Sequence, residues 1–553
     1  MAGADMDCIS SSEPASSSAP ARLAAEFWAW RTRTQPDSYD DITRVERPPG
    51  WVADWSPAAV RARREAYEGF AERYRRIEAP PADVRAQVDQ RLLGSALARV
   101  RWELDLLRGW QRDPSFYVDQ SLVPVYNLLL EPPPFHTERV DAVLRRLRNV
   151  PVVLEQAREN LAGSIVGPFA RRTLTMLDRA DEQLRTAMAA LADVVPDRRW
   201  DGATTDAARA VAGYRDWLAR QAPFDTEEAA VGADAFAFFL HRVALLPYSA
   251  EELRAMARQE WDRAVWAETL PRRGDHAAGE RLPDMAELLT RQRAAERDLR
   301  RFYTAHGLLS QPAGLRRYRM APMPAYLEPL TWLGVAHEAA APSRAGDDAI
   351  RYVRQPSPQL PYFDLAEIRD PLTGLAHEGV HAQQLAMSWQ HGNPARRRYY
   401  DSAPNEGIAF YNEELLLTMG AFDGSPSGAA FVVNAKRLRA LRAEIDVALA
   451  LGELTLQEAA EVLAEAVPMD RATAWQEAAF FAGNPGQGLS YQTGKLQILD
   501  LLATCARHQG DAFDLQAFHD RLWREGNVPL ALQRWELLGL RDHLDRADLL
   551  AGG

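Results

Sequence analysis

Cysteine, lysine and histidine are scarce in this chain of 553 residues, and each scarcity narrows what it can be. Two cysteines, Cys8 and Cys505, cannot build a disulfide framework, and no apolar stretch precedes Cys8 as it would a lipid-modified cysteine. Nowhere do eighteen apolar residues run together, so hydropathy predicts no membrane-spanning helix. A basic footprint is missing too: the net charge is −12, which argues against a nucleic-acid partner. The first twenty residues are rich in Ser, Ala and Pro but lack the basic start and apolar centre of a signal peptide. They read as a disordered tail, and the expected compartment is the reducing cytoplasm. Runs of β-branched residues are rare, and no internal repeat of fixed period is found.

What the chain does have is helical periodicity. Apolar positions recur at threes and fours, between charged faces, over 57–77, 81–111, 137–161, 165–193, 203–220, 250–268 and 284–306. Pro132-Pro133-Pro134, Pro247, Pro271, Pro322-Met323-Pro324 and Pro356-Ser357-Pro358 mark connections. The stretch 309–369, with Tyr352-Val353, predicts loops and a short strand pair. A chain this long with 47% hydrophobic residues can bury a large core in two lobes. The expected organisation is a tail over 1–20, a helical lobe over 21–248, and a second helical lobe over 249–553 that carries the chemistry.

That chemistry is signalled by His377-Glu378-Gly379-Val380-His381. On a helix this spacing puts two imidazoles one turn apart on one face, where they can hold one Zn²⁺, and places Glu378 to take a proton from water. Of the eleven histidines, only His377 and His381 are four residues apart. Asp370-Pro371 supplies an N-cap acceptor and a proline at the first helical position, and Gly392-Asn393-Pro394 stops the helix. Leu372, Leu375, Ala376, Val380, Leu385, Ala386 and Trp389 make it largely apolar, and a buried helix accepts His, Glu and His only when something pairs them. Gly379 leaves room for a neighbouring chain or a substrate.

A catalytic zinc needs a third protein ligand and one open position. Downstream acids are Asp401, Glu406, Glu413 and Glu414, while Gln384 stands where the metzincin pattern requires glycine. Asn405-Glu406-Gly407 opens a second helix, with Pro404 near its start and Gly420 at its end. Glu406 is the expected third ligand. Glu413, seven residues on along the same face, is placed to orient His377 or His381, against the competing reading of a solvated helix face.

The segments HEGVH and NEGIAFYNEE, with 25 positions from His381 to Glu406, resemble the gluzincin arrangement of thimet oligopeptidase, neurolysin and their relatives. The C-terminal segments Pro485-Gly486-Gln487-Gly488-Leu489-Ser490-Tyr491 to Lys495, Phe518-His519-Asp520 and Gly526-Asn527-Val528-Pro529-Leu530 resemble a bacterial family known only as domain of unknown function 885. The likeness runs from about Asp370 to Leu540. That family commonly reads HExxPGHH, so His381 is assigned from the shorter zincin spacing instead. It usually carries an Arg-Tyr pair where this chain has Phe480-Phe481, a change that suggests a more apolar ligand or remodelled packing. The resemblance implies a mainly α, two-lobed oligopeptidase-like fold around a central cleft with at most a small β element. It offers Tyr491 as a donor to the oxyanion, with a core tyrosine as the competing reading. Gln487 is a substrate contact or a turn-stabilising amide. Only two of the 65 basic residues are lysines, Lys436 and Lys495, and a lysine kept against that bias points to a place where arginine cannot serve. Lys495 lies one helical turn from Tyr491 and is a candidate site residue.

The expected chemistry is hydrolysis of an amide bond in a short peptide or peptide-like small molecule, with one Zn²⁺ per chain. A dedicated biosynthetic enzyme acting on one small molecule would use the same parts. Two other classes compete. A di-metal carboxylate oxidase needs a second Glu-x-x-His, and no other histidine has an acid three residues before it. A non-catalytic helical binding scaffold would close the metal site with a fourth ligand, for which Asp401 is the candidate.

Overall fold

The structure, a computed structural model, describes residues 18–38, 45–77, 83–270, 281–339 and 341–552. It is mainly α-helical with one small sheet. Residues 1–17, most of the expected tail, lie outside the described residues, and the first helix begins at Ala19. No helix among the described residues is long and apolar enough to cross a membrane.

Most of the periodic segments are helices with chemically legible starts. Ser56 caps Pro57–Arg75 by accepting from the Ala59 N–H, and Ser249 with Glu252 forms a capping box on Ala250–Thr269. The segment expected as one helix over 165–193 is two, Gly167–Met176 and Ala180–Val194. The helix Pro114–Leu130 was not anticipated. It is buried on nearly every face and contains Pro124, so it has neither the polar stripe nor the uninterrupted backbone that a periodicity reading relies on.

The expected strand pair is a three-stranded sheet in the order β1-β3-β2. Strand β1 (Tyr318–Pro322) runs parallel to β3 (Ala349–Val353), and the two-residue β2 (His337–Glu338) is antiparallel to β3, with His337 opposite Arg351. Tyr318 and Ala349 share a core with Leu375, Ala376 and Val380, so the sheet lies against the helix that carries the motif.

Four helices build the site. The histidine helix spans Pro371–Ser388 and the glutamate helix Ser402–Thr418. The arginine helix spans Pro426–Leu451 and the tyrosine helix Gln487–Gln509. Asp370 caps the first by accepting from Leu372 N–H at 3.0 Å, as its sequence predicts. Packing crosses the position 248–249: Leu23, Phe27, Val88 and Leu92 share a core with Val528, Leu532, Trp535 and Leu544.

Glutamate and tyrosine helices meet backbone to backbone. A Cβ on Gly494 would stand 1.8 Å from the Ala403 carbonyl oxygen and 2.8 Å from Gly407 Cα, and one on Gly407 would stand 2.5 Å from the Gly494 carbonyl carbon. Gly379 is different. An added Cβ there would find Leu375 and Tyr318 at 3.6–3.9 Å, ordinary contact, so the neighbouring chain is strand β1 and no close approach demands glycine. Because the atoms opposite Gly494 are backbone, Gly494→Ala is expected to destabilise the protein by about 3 kcal/mol or more, at the upper end for overpacked cores. Gly379→Ala should cost far less. Urea unfolding of the two variants measures the contrast, and equal midpoints would contradict the close helix contact.

Candidate metal centre

His377 and His381 project from one face of the histidine helix, their rings 5.1 Å apart and perpendicular. Glu406 comes from the first turns of the glutamate helix. Its Oε2 lies 3.4 Å from His377 Nε2 and 3.6 Å from His381 Nε2, and the three ligand atoms fall within 4.8 Å of one another. Bonds of 2.0–2.1 Å to a tetrahedral Zn²⁺ put ligand atoms roughly 3.4 Å apart, so two of the three separations already match. Glu406 Oε2 is buried without a hydrogen-bond partner, as befits an oxygen reserved for a cation. The residues therefore fit a His₂Glu centre.

The lower half of the site fixes the imidazole. His377 Nδ1 lies 2.7 Å from Glu413 Oε1, which makes Nδ1–H the donor and leaves the Nε2 lone pair for a metal. Arg439 holds Glu413 in a bidentate pair, Nη1 to Oε2 and Nη2 to Oε1, both at 2.8 Å. Burial pushes the Glu413 carboxyl up, but the Arg439 charge and the His377 hydrogen bond more than reverse it, so it is lowered overall. Glu413 is thus an orienting residue rather than a solvated one. The two helices are tied by Asn412, which donates to the Ala376 carbonyl at 2.9 Å and accepts from Tyr303 at 2.8 Å. Among the described residues His381 Nδ1 is buried with no hydrogen-bond partner, so that ring lacks the carboxylate support His377 has.

Glu378 lines a cavity of about 430 Å³ together with His377, His381, Glu406 and Tyr491. It is partly exposed and lies 3.5 Å from Nδ1 of His337, which β2 delivers. Burial raises the Glu378 carboxyl, but the His337 hydrogen bond and the imidazole charges bring it well below the usual range, so it is an ionised base. The Tyr491 ring stacks 6.2 Å from His377 at 16°, with Arg442 and Arg439 over it at 5.0 and 5.5 Å. The cavity is lined from both halves of the chain, including Arg47, Tyr126 and Arg146 beside His337, Glu338 and the centre.

Four expectations are placed elsewhere. Lys495 is buried, its ammonium 2.6 Å from Glu260 and 3.0 Å from Glu414 and 4.5 Å from the Phe410 ring, and it does not line the cavity. Gln487 accepts from the Ser402 hydroxyl, a tie between two helix starts and not a wall of the cavity. Phe480 and Phe481 pack in a core with Leu438, Leu441 and Ala478 and do not line the cavity. Asp401 is outside the ligand cluster and caps the glutamate helix, accepting from the Ala403 N–H at 3.2 Å. His337, Arg439 and Asn412 were not singled out from the sequence. His337 offered only the scarcity of histidine as a signal, and Arg439 is one arginine among many.

A largely buried His₂Glu cluster built from two helices, with a carboxylate beside it in a cavity, defines a helical protein with a candidate mononuclear metal centre. The chain belongs to a bacterial family of proteins of unknown function, DUF885, which matches residues 46–537. No curated protein matches it. Among solved structures it is similar to a candidate lipoprotein of unknown function from Shewanella oneidensis, at 16% identity and TM-score 0.68, over 94% of this chain and 99% of that one. A candidate lipoprotein from Colwellia psychrerythraea is similar at 16% identity and TM-score 0.69, over 96% of this chain and 100% of that one. At such identity the likeness is one of fold.

Burial pushes the Asp401 carboxyl up to about 6, against the pull of Arg99 and the Ala403 N–H, and its Oδ2 has no partner. A folded-state value above the unfolded one means the folded chain binds the proton more tightly, so stability falls as pH rises through about 4 to 6 and stays lower above it. Asn keeps the capping oxygen without the charge. Asp401→Asn should match the parent near pH 4 and exceed it at pH 7.5 by up to about 3 kcal/mol. Thermal unfolding across that range checks the divergence, and parallel curves would contradict it.

Proposed function

We propose that this protein is a zinc-dependent hydrolase that cleaves an amide or peptide bond in a short peptide or peptide-like small molecule, as gluzincins do. The observation that carries the reading is the convergence of His377 Nε2, His381 Nε2 and Glu406 Oε2 beside an ionised Glu378 in one cavity. A structural zinc site would be closed by a fourth protein ligand, and Asp401 is used as a helix cap instead. Among the described residues no second cluster of His, Cys, Asp and Glu exists for a di-metal oxidase.

His377, His381 and Glu406 would hold the ion, which supplies Lewis acidity that acidifies water and polarises a carbonyl. Glu378 accepts the proton of the attacking water on its carboxylate and returns it to the nitrogen of the leaving amine. His337, 3.5 Å away, holds that carboxylate toward the cavity. Tyr491, which lines the cavity, would donate its hydroxyl to the negative charge on the carbonyl oxygen as the tetrahedral state forms. Glu413, backed by Arg439, keeps the His377 tautomer fixed throughout.

Metal analysis by plasma mass spectrometry should find near one zinc per native chain and a sharp fall in Glu406→Gln purified identically. No metal in either, or two irons in the native chain, would sink the reading. Glu378→Gln should retain zinc and lose at least about 10²-fold in turnover of a peptide library. Glu413→Gln should lower zinc affinity by about 10–100-fold in chelator competition, the usual effect of removing a ligand's orienting partner.

A further inference from the structure

The wall of the cavity supplied by the N-terminal half includes Asp37, Arg47, Trp51 and Arg146. Both guanidiniums lie over the Trp51 ring, Arg47 at 4.2 Å and Arg146 at 5.5 Å from its centroid. Arg47 is committed: it donates to Asp37 Oδ2 at 2.8 Å, to the Gln35 carbonyl at 2.6 Å and to the Thr32 carbonyl at 3.2 Å. Among the described residues Arg146 has one hydrogen-bond partner, the Pro124 carbonyl at 2.6 Å, and its Nε is buried without an acceptor. No carboxylate among the described residues pairs with it. Asp37 is taken by Arg47, and Glu46, on the same wall, accepts from the Ser343 hydroxyl at 2.5 Å. Arg344, the third arginine of the cavity, is already bound to Glu338 at 2.7 Å.

A desolvated guanidinium without a counter-charge is costly. Burial pulls Arg146 down to about 10, and Arg47 and Arg145 add repulsion that Asp37 opposes. Arg63 and Arg316 also bury nitrogens without partners, but each is packed on a tryptophan away from the cavity. Arg146 differs because it lines the same cavity as the candidate metal centre.

We infer that Arg146 anchors a carboxylate of the substrate, so that the cavity takes short peptides or N-acyl amino acids with a free carboxylate in preference to blocked or interior segments. The guanidinium fork matches a carboxylate in two parallel hydrogen bonds, and stacking on Trp51 holds it in place before the ligand arrives. The assignment of which bond is broken rests on the hydrolase reading, whereas the carboxylate anchor does not need it.

The test uses the full chain carrying Glu378→Gln, with and without zinc, and two probes, N-acetyl-alanyl-alanine and its C-terminal carboxamide, with binding measured by calorimetry. The free acid should bind about tenfold or more tighter than the carboxamide, the span expected of a charge-assisted pair. Adding Arg146→Gln should abolish that preference while leaving zinc content unchanged. Arg146→Lys keeps the charge without the fork, and should retain only part of the preference; it decides the matter if the glutamine variant does not fold. Equal binding of the two probes, no detectable binding of either, or a preference untouched by both variants overturns the anchor. Peptide cleavage indifferent to the terminal carboxylate would overturn the anchor and spare the hydrolase. Acid preference in a chain that binds no zinc and cleaves no peptide would do the reverse.

Discussion

Everything at the candidate centre is referenced to one contact, the backbone crossing of the glutamate and tyrosine helices at Gly407 and Gly494. Glu406 is the residue before the first glycine, and Tyr491 lies three before the second, on the face turned toward the crossing. The separation of a metal-facing carboxylate from a phenol is therefore set by two helices touching where neither has a side chain. Hydrogen bonds then carry that frame to the histidine helix, through Asn412 to the Ala376 carbonyl and through Glu413 to His377. Disturbing the crossing would move Glu406 and Tyr491 together, while leaving both histidines on their helix.

The polar groups beneath the centre form a continuous buried series, from Arg439 to Glu413 to His377 to Glu406. Each ionised member alone would be expensive to bury, and Arg439 supplies the counter-charge that Glu413 needs beneath the neutral imidazole. Arg439 also sits over the Phe410 ring at 4.8 Å, a place where a planar guanidinium stacks and grips both oxygens of Glu413 at once. The chain's two lysines serve a different need. Lys436 and Lys495 converge on the two oxygens of Glu414, each at 3.0 Å. Two compact ammonium groups fit around one carboxylate where two planar forks would crowd, so rarity of lysine marked a packing requirement and not a substrate contact.

Local signals were the legible ones. The Asp370-Pro371 cap, the His377-Glu378-His381 spacing and Glu406 are set by neighbours within a turn or two, and a sequence displays such neighbours directly. Glu413 was legible as a partner of the histidines, but the Arg439 that grips it was not, because that arginine comes from another helix. The helix over Pro114–Leu130 was hidden by the property that places it in the core, apolarity on all sides. Gly379 drew attention as a glycine inside a helix, while Gly407 and Gly494, which the packing does require, look no different in the sequence. His337 was beyond reach: a two-residue strand has no periodicity, and only the sheet's register brings it to Glu378.

The candidate metal centre and the arginine-bearing wall are separated in the sequence and joined in the cavity. Every proposed ligand and the base lie between His377 and Glu406, whereas Arg47, Trp51 and Arg146 come from the first third of the chain. The two sets share no hydrogen bond, so a substitution on the wall can change which molecule is held without shifting the metal ligands. The chemistry of a His₂Glu cluster is accordingly a weak guide to substrate. In this chain the informative residues for substrate are the ones that face the cavity with their hydrogen-bonding capacity unspent, and Arg146 is the cationic example. A ligand that meets it need only bring a carboxylate and reach the centre with an amide, which couples recognition at one wall to the placement of the scissile bond at the other.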